Sequence, residues 1–520
     1  MSNPAPNPFV HGALGPIFAR TALPIIFVMG MNGLLAVVDA IFLGRYVGAD
    51  ALSAVTLVFP LYMVIVALAT LVSNGMSSIL ARNLGAGDRA GAARVFTGAH
   101  GLALLMSGVL MLLYLLFGGV VTLALASGSG VLAAMGQTYL GITVFMSPLF
   151  FVLAVNSDAL RNEGRVGFMA AMSLLVSLSN IGFNYILIAL LGLGVVSSAL
   201  GTALAQMLAL VIIIAFRSFG RTELRPGLLL RIPLNACWGR ILALGAPQSL
   251  NFIGLSLSSA AVIVVLQLVN TPLYETTVAA FGILTRVMTF AFLPLLGLTH
   301  ALQTIVGNNY GARAWARSDT GLRIGLGTAF VYCAAMQAVF VTMPQSIAGL
   351  FVTEPGVIAE FARILPVNTA MFWLAGPLIV IASYFQAIGN ASRAALLGLT
   401  KSYAFGLPLT FCLPLILGEP GIWLAGPLAE CMMALLTLAV LQQSVSALGL
   451  RRGCSRRGAA RNLDSVKNGA GRLPCAANRV YRRFLCTSVE PRSLSWWGRK
   501  GYRPAYEMRL DINRRPHAAI

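Results

Sequence analysis

Charged residues are scarce in this sequence of 520 residues, at 10% of the total. A soluble globular protein carries about 25% charged residues, so an ordinary soluble domain is excluded. Apolar residues make up 58% of the chain and the mean hydropathy is +0.83. Apolar runs of about 20 residues, long enough to cross a lipid bilayer, recur throughout. The composition therefore predicts a polytopic membrane protein.

Motifs for catalysis or metal binding are also missing. The seven cysteines show no CxxC or CxxH spacing, which argues against a metal or disulfide framework. His100 and His300 have no carboxylate or cysteine at a useful spacing, and no His, Asp or Ser constellation of a membrane enzyme such as an acyltransferase is visible. We therefore expect no enzyme activity, no cofactor and no resident metal.

Twelve apolar segments are long enough to be membrane spans. Residues 1–19 contain no Lys or Arg, so the basic region of a cleavable signal peptide is missing and the first segment should stay as a helix. The predicted spans are 20–44, 53–80, 96–124, 136–159, 167–191, 196–217, 241–269, 278–305, 322–344, 360–388, 395–417 and 420–448.

Basic residues in the loops predict the orientation of these spans. Fifteen Arg and Lys residues fall in loops on one side, among them Arg161, Arg217 and Lys401, whereas the other side has only Arg45 and Arg363. Because positive charge concentrates in cytoplasmic loops, both termini are expected in the cytoplasm.

The two halves of the sequence resemble each other at an offset near 226 residues. The matched segments are ARNLGA (81–86) with GNNYGA (307–312), ALRNEGR (159–165) with AIGNASR (387–393), and more weakly LGTALAQ (200–206) with WLAGPLAE (423–430). Six spans per half is an even number, so the halves share one orientation and form a parallel repeat. The predicted fold is an all-α polytopic membrane protein with twelve transmembrane helices in two six-helix lobes. Two lobes around a central cleft are typical of a transporter that opens to each side in turn.

Four segments are expected: an N-terminal lobe over 1–217, a cytoplasmic linker over 218–240, a C-terminal lobe over 241–450 and a basic tail over 451–520. The tail holds 17 Lys and Arg against 4 Asp and Glu and no long apolar run. Such a segment is expected to be disordered and to contact anionic lipid headgroups. Nucleic-acid binding is the other interpretation of its charge, but no recognition fold is present. A third interpretation is that the tail is the product of a frameshift.

Four polar side chains lie at a similar depth in the first half. Asp39 stands in an apolar span, where a charge costs roughly 2.5–3.5 kcal/mol. Asn180 and Asn184 share a helix face at spacing i, i+4, and Thr202 lies in the next span. A carboxylate, two amides and a hydroxyl suit a proton or a small hard cation such as Na⁺. The alternative is that Asp39 is interfacial and the amides join helices by hydrogen bonds.

Several motifs together resemble the multidrug and toxic compound extrusion (MATE) transporters over about residues 14–448. These motifs are VDAIFLGRYVGADALSAV (38–55), ARNLGAGD (81–88), NIGFNYILI (180–188) and GNNYGA (307–312). The resemblance implies an exporter of small amphipathic or cationic compounds, driven by inward H⁺ or Na⁺. It also implies a monomeric protein of the bacterial inner membrane that contacts lipid and binds no nucleic acid.

The resemblance implies roles for the polar residues of the first half. Asp39 matches the coupling carboxylate of the family, and Asn180, Asn184 and Thr202 match polar positions that some members add. Several members have a second carboxylate where this chain has Asn184, so H⁺ is the expected driving ion and Na⁺ the alternative. Some members carry a glutamate in span 7, but the segment 247–266 has no carboxylate.

Five residues of the second half are further candidates for substrate binding or a second proton site. Glu430 lies near the middle of span 12, and Arg286 is the basic residue that stands well inside span 8 and can neutralise Glu430 or another acid. Gln303, Tyr384 and Gln386 lie near the inner ends of their spans, where they either line the cleft or form hydrogen bonds at helix ends.

A lipid-linked precursor flippase of the same wider fold group is the alternative function. A flippase for a pyrophosphate headgroup needs several Arg or Lys residues inside its cleft. This chain offers mainly Arg286 within its spans, and it places Asp39 in the first lobe. The sequence therefore favours the antiporter.

Overall fold

The computed structural model describes residues 7–126, 129–220, 222–269, 273–448, 450–451 and 455–456. The predictions made for the tail, its disorder and its origin, therefore concern residues that lie almost entirely outside the described ranges.

The described chain is built mainly from α-helices. Within the described residues the α-helices are α1 Leu14–Phe42, α2 Ala49–Gly85, α3 Arg89–Leu125, α4 Gly130–Phe145, α5 Ser147–Asn162, α6 Val166–Asn184, α7 Val195–Ser218, α8 Trp238–Leu268, α9 Tyr274–Gly311, α10 Trp315–Thr342, α11 Pro344–Gly349, α12 Pro355–Asn368, α13 Phe372–Ala387, α14 Ala391–Leu399, α15 Leu407–Leu417 and α16 Pro420–Leu448.

Short irregular elements join or extend these helices. The π-helical segments Leu43–Val47, Tyr185–Leu190 and Thr400–Gly406 follow α1, α6 and α14, and a 3₁₀ segment covers Pro226–Leu230. Beyond α16, the two-residue strands β1 Leu450–Arg451 and β2 Ser455–Arg456 pair antiparallel.

The predicted span count agrees with the helices. Among the described residues, ten helical stretches are each long and apolar enough to cross a membrane, and two bent pairs raise the number to twelve. The pairs are α4 with α5, bent by 47°, and α12 with α13, bent by 51°. The two bends occupy the fourth and tenth spans, which are equivalent positions in the two halves. The all-α fold with a repeated two-lobe arrangement is thus confirmed.

Large apolar side chains cover much of the helix exterior. Leu115, Leu116 and Val120 on α3 are each more than 60% exposed. In water such a surface would aggregate, whereas lipid tails cover it without cost. The chain is a multi-pass membrane protein.

One end of the molecule, here called the basic face, gathers the connections 86–88, 163–165, 219–237, 312–314 and 388–390. Side-chain contacts tie these connections together. Arg89 pairs with Glu223 at 3.1 Å, and Arg217 pairs with Glu163 at 2.9 Å while also donating to the Leu224 carbonyl. Most loop arginines lie at this face, in keeping with the charge bias of the sequence.

Several basic residues that the sequence assigned to loops lie inside helices instead, and Arg161, Arg217 and Lys401 form ion pairs there. Arg161 and Arg217 are 2% and 1% exposed in the last turns of α5 and α7, where Arg161 pairs with Asp158 at 2.8 Å. Lys401 lies in the π-helical segment after α14, about ten residues beyond the start of that helix. The loop assignment was wrong because hydropathy alone does not detect the ion pairs that neutralise these charges, namely Arg161–Asp158, Arg217–Glu163 and Lys401–Glu430.

The segment before α1 bridges the two lobes at the basic face. Asn7 donates to Asn308 at 2.8 Å, and Asn309 donates to the Phe9 carbonyl at 3.0 Å. Arg317 donates to the Gly12 carbonyl at 2.8 Å. Pro8 packs so closely against Gly164 that a Cβ on that glycine would lie 2.5 Å from the proline ring.

The two lobes also meet tightly along the half of α2 that ends at the basic face. A Cβ on Gly245 of α8 would lie 1.8 Å from the Leu71 carbonyl oxygen, and one on Gly85 would lie 1.9 Å from the Asn308 carbonyl oxygen. Only glycine allows backbones to approach so closely. We call this contact zone the seam; it closes the molecule at the basic face.

Candidate functional site

The polar residues of the first half converge on one carboxylate. Asp39 lies near the end of α1 and is partly buried, whereas Asn180 and Asn184 on α6 are completely buried. Asn184 Nδ2 donates to Asp39 Oδ1 at 2.6 Å and to Asn180 Oδ1 at 3.1 Å. The i, i+4 spacing of the two asparagines places both amides on the same face of α6, opposite α1.

Thr202 extends this cluster to α7. Asn180 Nδ2 lies 2.8 Å from Thr202 Oγ1, and the threonine hydroxyl donates to the Ser198 carbonyl at 3.0 Å. The structure therefore joins α1, α6 and α7 through all four residues that the sequence singled out. We call these residues the Asp39 cluster.

The Asn180 amide fits its place in two orientations. In one, its nitrogen donates to Thr202 and its oxygen stands 2.9 Å from Asp39 Oδ1. In the other, its nitrogen donates to Asp39 Oδ1 at 2.9 Å and its oxygen accepts from the hydroxyl and backbone N–H of Thr202, at 2.8 and 3.2 Å, while the hydrogen bond from Asn184 to Asn180 is lost because the two amide nitrogens face each other at 3.1 Å. Two bare oxygen acceptors repel, so the first orientation requires a proton on Asp39 and the second suits the carboxylate.

The oxygen of Asn184 points away from Asp39. Among the described residues, Asn184 Oδ1 is buried without a hydrogen-bond partner. It lies against Gly201 of α7, where an added Cβ would stand 2.0 Å from it. The absence of a side chain at Gly201 therefore makes room for the amide.

Two tyrosines near Asp39 were missed by the sequence reasoning. Tyr62 of α2 and Tyr139 of α4 are both within electrostatic range of Asp39. Their signal was weak because tyrosines are common in apolar spans. A tyrosine hydroxyl can donate and accept a hydrogen bond, so these side chains add polar groups to the surroundings of the cluster.

Glu430 in the second lobe is paired with Lys401 rather than with Arg286, the partner that the sequence offered. Its Oε1 forms an ion pair with Lys401 Nζ, and Lys401 stands 5.9 Å from the centre of the Phe292 ring. Glu430 Oε2 is buried with no partner among the described residues. Arg286, which the sequence offered as the neutralising residue, has its side chain exposed on α9. The expectation missed Lys401 because it had been placed in a loop.

Gln303 and Gln386 are buried at the seam, Tyr384 is buried in the apolar core, and none of the three is exposed to an open cleft. Gln303 donates to Asn74 at 2.5 Å and accepts from Ser77 at 3.1 Å, so it joins α9 to α2. Gln386 donates to the Leu244 carbonyl at 2.6 Å, and Tyr384 is completely buried.

Within the described residues, no group of three or more His, Cys, Asp or Glu side chains stands where it can hold a metal ion. Asp39 is the single carboxylate of its cluster, and Glu430 is paired with a lysine.

Comparison with known proteins identifies the family. The fold and the repeated spans define a two-lobed polytopic membrane protein of the transporter type. The family model MatE matches twice, over residues 24–186 and 247–412, which together exceed half of the chain. The chain belongs to the MATE family. The double match also reproduces the internal repeat.

Curated relatives include exporters from staphylococci. The "Multidrug export protein MepA" of Staphylococcus aureus is 25% identical over 429 residues, which cover 81% of this chain and 92% of the relative. The protein of the same name from Staphylococcus haemolyticus is 24% identical over 446 residues, with 83% and 94% covered.

Solved structures share the fold. A transporter of the MOP superfamily from Pyrococcus furiosus, described as having a binding pocket of reverse polarity, superimposes with a TM-score of 0.79 at 23% identity, covering 86% of this chain and 100% of that one. A multidrug resistance MATE transporter in the outward-facing conformation gives a TM-score of 0.78 at 23% identity, covering 86% and 99%.

Proposed function

We propose that this protein exports small amphipathic or cationic compounds across the bacterial inner membrane in exchange for inward H⁺. Support comes from membership of the MATE family, from the multidrug exporters among its relatives and from the buried Asp39 cluster. The flippase alternative is not favoured by these relatives. The observation that carries the proposal is the placement of Asp39 between two amides that can respond to its protonation.

The proton cycle follows from the hydrogen bonds of the cluster. When Asp39 is ionised, the nitrogens of Asn180 and Asn184 both donate to it. The Asn180 oxygen then faces Thr202, so the hydroxyl of Thr202 turns from Ser198 toward Asn180. When Asp39 takes up a proton, it donates to the Asn180 oxygen, the amide reverses and Thr202 returns to Ser198.

This exchange of partners links protonation to helix packing. The ionised carboxylate holds α6 to α1 through two charge-assisted hydrogen bonds, which are stronger than bonds between neutral groups. Protonation removes the charge, weakens the bond from Asn184 and replaces the bond from Asn180 with one that Asp39 donates. The helices α1, α6 and α7 are then free to repack and to release a bound cation.

Na⁺ remains the second candidate for the driving ion. The buried, unpartnered oxygen of Asn184 is an available ligand, and Na⁺ prefers oxygen ligands of this kind. However, Asn184 turns its nitrogen toward Asp39, so a cation at the carboxylate requires that amide to reverse. With one carboxylate in the cluster, H⁺ is the better match.

Alternating access would operate between the two lobes, with 218–240 as their linker. The seam closes the basic face, which we assign to the cytoplasm with both termini because loop arginines concentrate there. The molecule is then in its outward-facing state. We further propose that it functions as a monomer.

The test is export of a fluorescent cation from proteoliposomes in which H⁺ and Na⁺ gradients are imposed separately. A proton gradient alone should drive transport, and a Na⁺ gradient alone should leave it near background. Transport driven only by Na⁺ would overturn the choice of ion. Transport driven by neither gradient would overturn the proposed function.

A further inference from the structure

A second polar site lies at the seam, remote in sequence from the Asp39 cluster. A cavity of about 260 Å³ opens there between the lobes. The first lobe contributes Arg82 and Asn83 from the last turn of α2. The second lobe contributes Arg240 from the first turn of α8 and the backbone of Gly389 before α14.

The cavity is strongly positive. Arg82 and Arg240 are close enough to interact electrostatically with each other. None of the described residues that line the cavity is acidic; the remaining walls are apolar side chains and backbone. Two like charges that share a pocket without a counter-charge repel each other, and a bound anion would relieve that repulsion.

The orientation of Arg82 is fixed by the protein. Its Nε donates to the Ser78 carbonyl at 3.1 Å and its Nη1 donates to the Ile388 carbonyl at 3.2 Å. Gly389 permits this position, since a Cβ there would stand 1.5 Å from Nη1. The guanidinium is therefore held in place before any ligand arrives, which reduces the entropic cost of binding.

We propose that this cavity binds a phosphate group, with Arg82 and Arg240 as its ligands and Asn83 as a neutral hydrogen-bond donor. Arginine forks match the geometry of phosphate oxygens. The phosphate is either that of an anionic lipid headgroup at the membrane surface or that of a soluble phosphate compound. The inference does not depend on the ion that drives transport.

The site has a consequence for the transport cycle. Its ligands come from both lobes, so a bound phosphate contacts both only while the seam is closed. A ligand that binds one of two states shifts the population toward that state. The phosphate would therefore hold the molecule closed at the basic face and slow its conversion to the opposite state.

The test uses the full-length protein with two probes. Its thermal midpoint is measured in detergent with inorganic phosphate, against chloride at matched ionic strength. It is also measured in nanodiscs of phosphatidylcholine with and without phosphatidylglycerol. The variant is Arg240→Gln, because Arg82→Gln would also remove the hydrogen bond from Nη1 to the Ile388 carbonyl, which joins the lobes. Arg231→Gln is the control: it removes the same charge from an exposed position outside the cavity.

The wild type and Arg231→Gln should be stabilised by at least one probe. In Arg240→Gln the apparent dissociation constant should rise roughly tenfold, the ratio expected for one lost charge-assisted hydrogen bond. Stabilisation by inorganic phosphate would identify a soluble ligand, and stabilisation by phosphatidylglycerol alone would identify a lipid headgroup. Equal stabilisation of Arg240→Gln and the wild type, or no stabilisation by either probe, would overturn the proposal.

Discussion

The amide nitrogen of Asn184 donates to Asp39 Oδ1 across 2.6 Å and so joins α6 to α1. This bond is charge-assisted when Asp39 is ionised and becomes an ordinary hydrogen bond when Asp39 is protonated. The strength of the contact between the two helices therefore depends on one proton.

Asp39→Asn should abolish gradient-driven export. The variant resembles the protonated side chain in shape but cannot release a proton. It should insert and fold normally, because the loss of a charge lowers the cost of placing the residue in a membrane. The measurement is efflux of a fluorescent cation at matched expression. Asp50→Asn is the control, since Asp50 is exposed in the first turn of α2. Wild-type efflux in Asp39→Asn would show that coupling lies elsewhere, with Glu430 the next candidate.

Gly201→Ala should displace the Asn184 amide. The new Cβ would stand 2.0 Å from Asn184 Oδ1, so the side chain must move away from Asp39. Export should fall on the order of 10- to 100-fold, the usual effect of misplacing a functional group by about 1 Å. Gly182→Ala on α6 is the control because a Cβ there meets nothing within 4 Å. Equal rates in the two variants would mean that the position of Asn184 is unimportant.

Gly245→Ala should loosen the seam. The added Cβ would collide with the Leu71 carbonyl oxygen at 1.8 Å and push α8 away from α2. Ser77 is fully buried. A reporter cysteine at this position should then be labelled faster in membrane preparations in which the reagent can reach the basic face. Gly239→Ala lies on the same helix in open space and should leave labelling unchanged. Unchanged labelling in Gly245→Ala would contradict the closed seam.

Lys401→Met should destabilise the second lobe more than Glu430→Gln does. Without Lys401, Glu430 keeps a buried charge and loses its counter-ion. The cost should be roughly 1–3 kcal/mol, less than for a fully buried pair, because the Lys401 side chain is 32% exposed. The double variant should recover much of the loss. The measurement is a double-mutant cycle of thermal midpoints for the wild type, Lys401→Met, Glu430→Gln and the double variant. Strictly additive losses in the double variant would argue that the two side chains are not coupled.

The orientation of the chain in the membrane can be tested by labelling single cysteines. Single cysteines at Ser129 and Glu275, in a background without reactive thiols, should react with an impermeant reagent in intact cells. Both positions are exposed and lie at the end opposite the basic face. A cysteine at Arg231 should react only after the membrane is opened. Labelling of Arg231→Cys in intact cells would reject the cytoplasmic assignment of the basic face.

The sequence was sufficient for the spans and for the similar depth of Asp39, Asn180, Asn184 and Thr202, because both follow from the apolar runs and from positions along them. The apolar runs have the length of a bilayer, and the spacing of Asn180 and Asn184 determines that they share a helix face. It was not sufficient for contacts between distant segments. Lys401 was placed in a loop because its partner Glu430 is 29 positions away on another helix. Gln303 was a candidate for the cleft because Asn74, its partner at the seam, is 229 positions away.

The bridge formed by Asn7, Phe9 and Gly12 has a practical consequence for anyone who expresses this protein. These residues hold Asn308, Asn309 and Arg317 of the second lobe, while Pro8 lies against Gly164 of the first. A purification tag or fluorescent protein fused at Met1 is attached only a few residues before this bridge. In the proposed alternating-access cycle such a fusion would change the rate at which the lobes separate, so kinetic comparisons between tagged and untagged protein need a spacer ahead of Asn7.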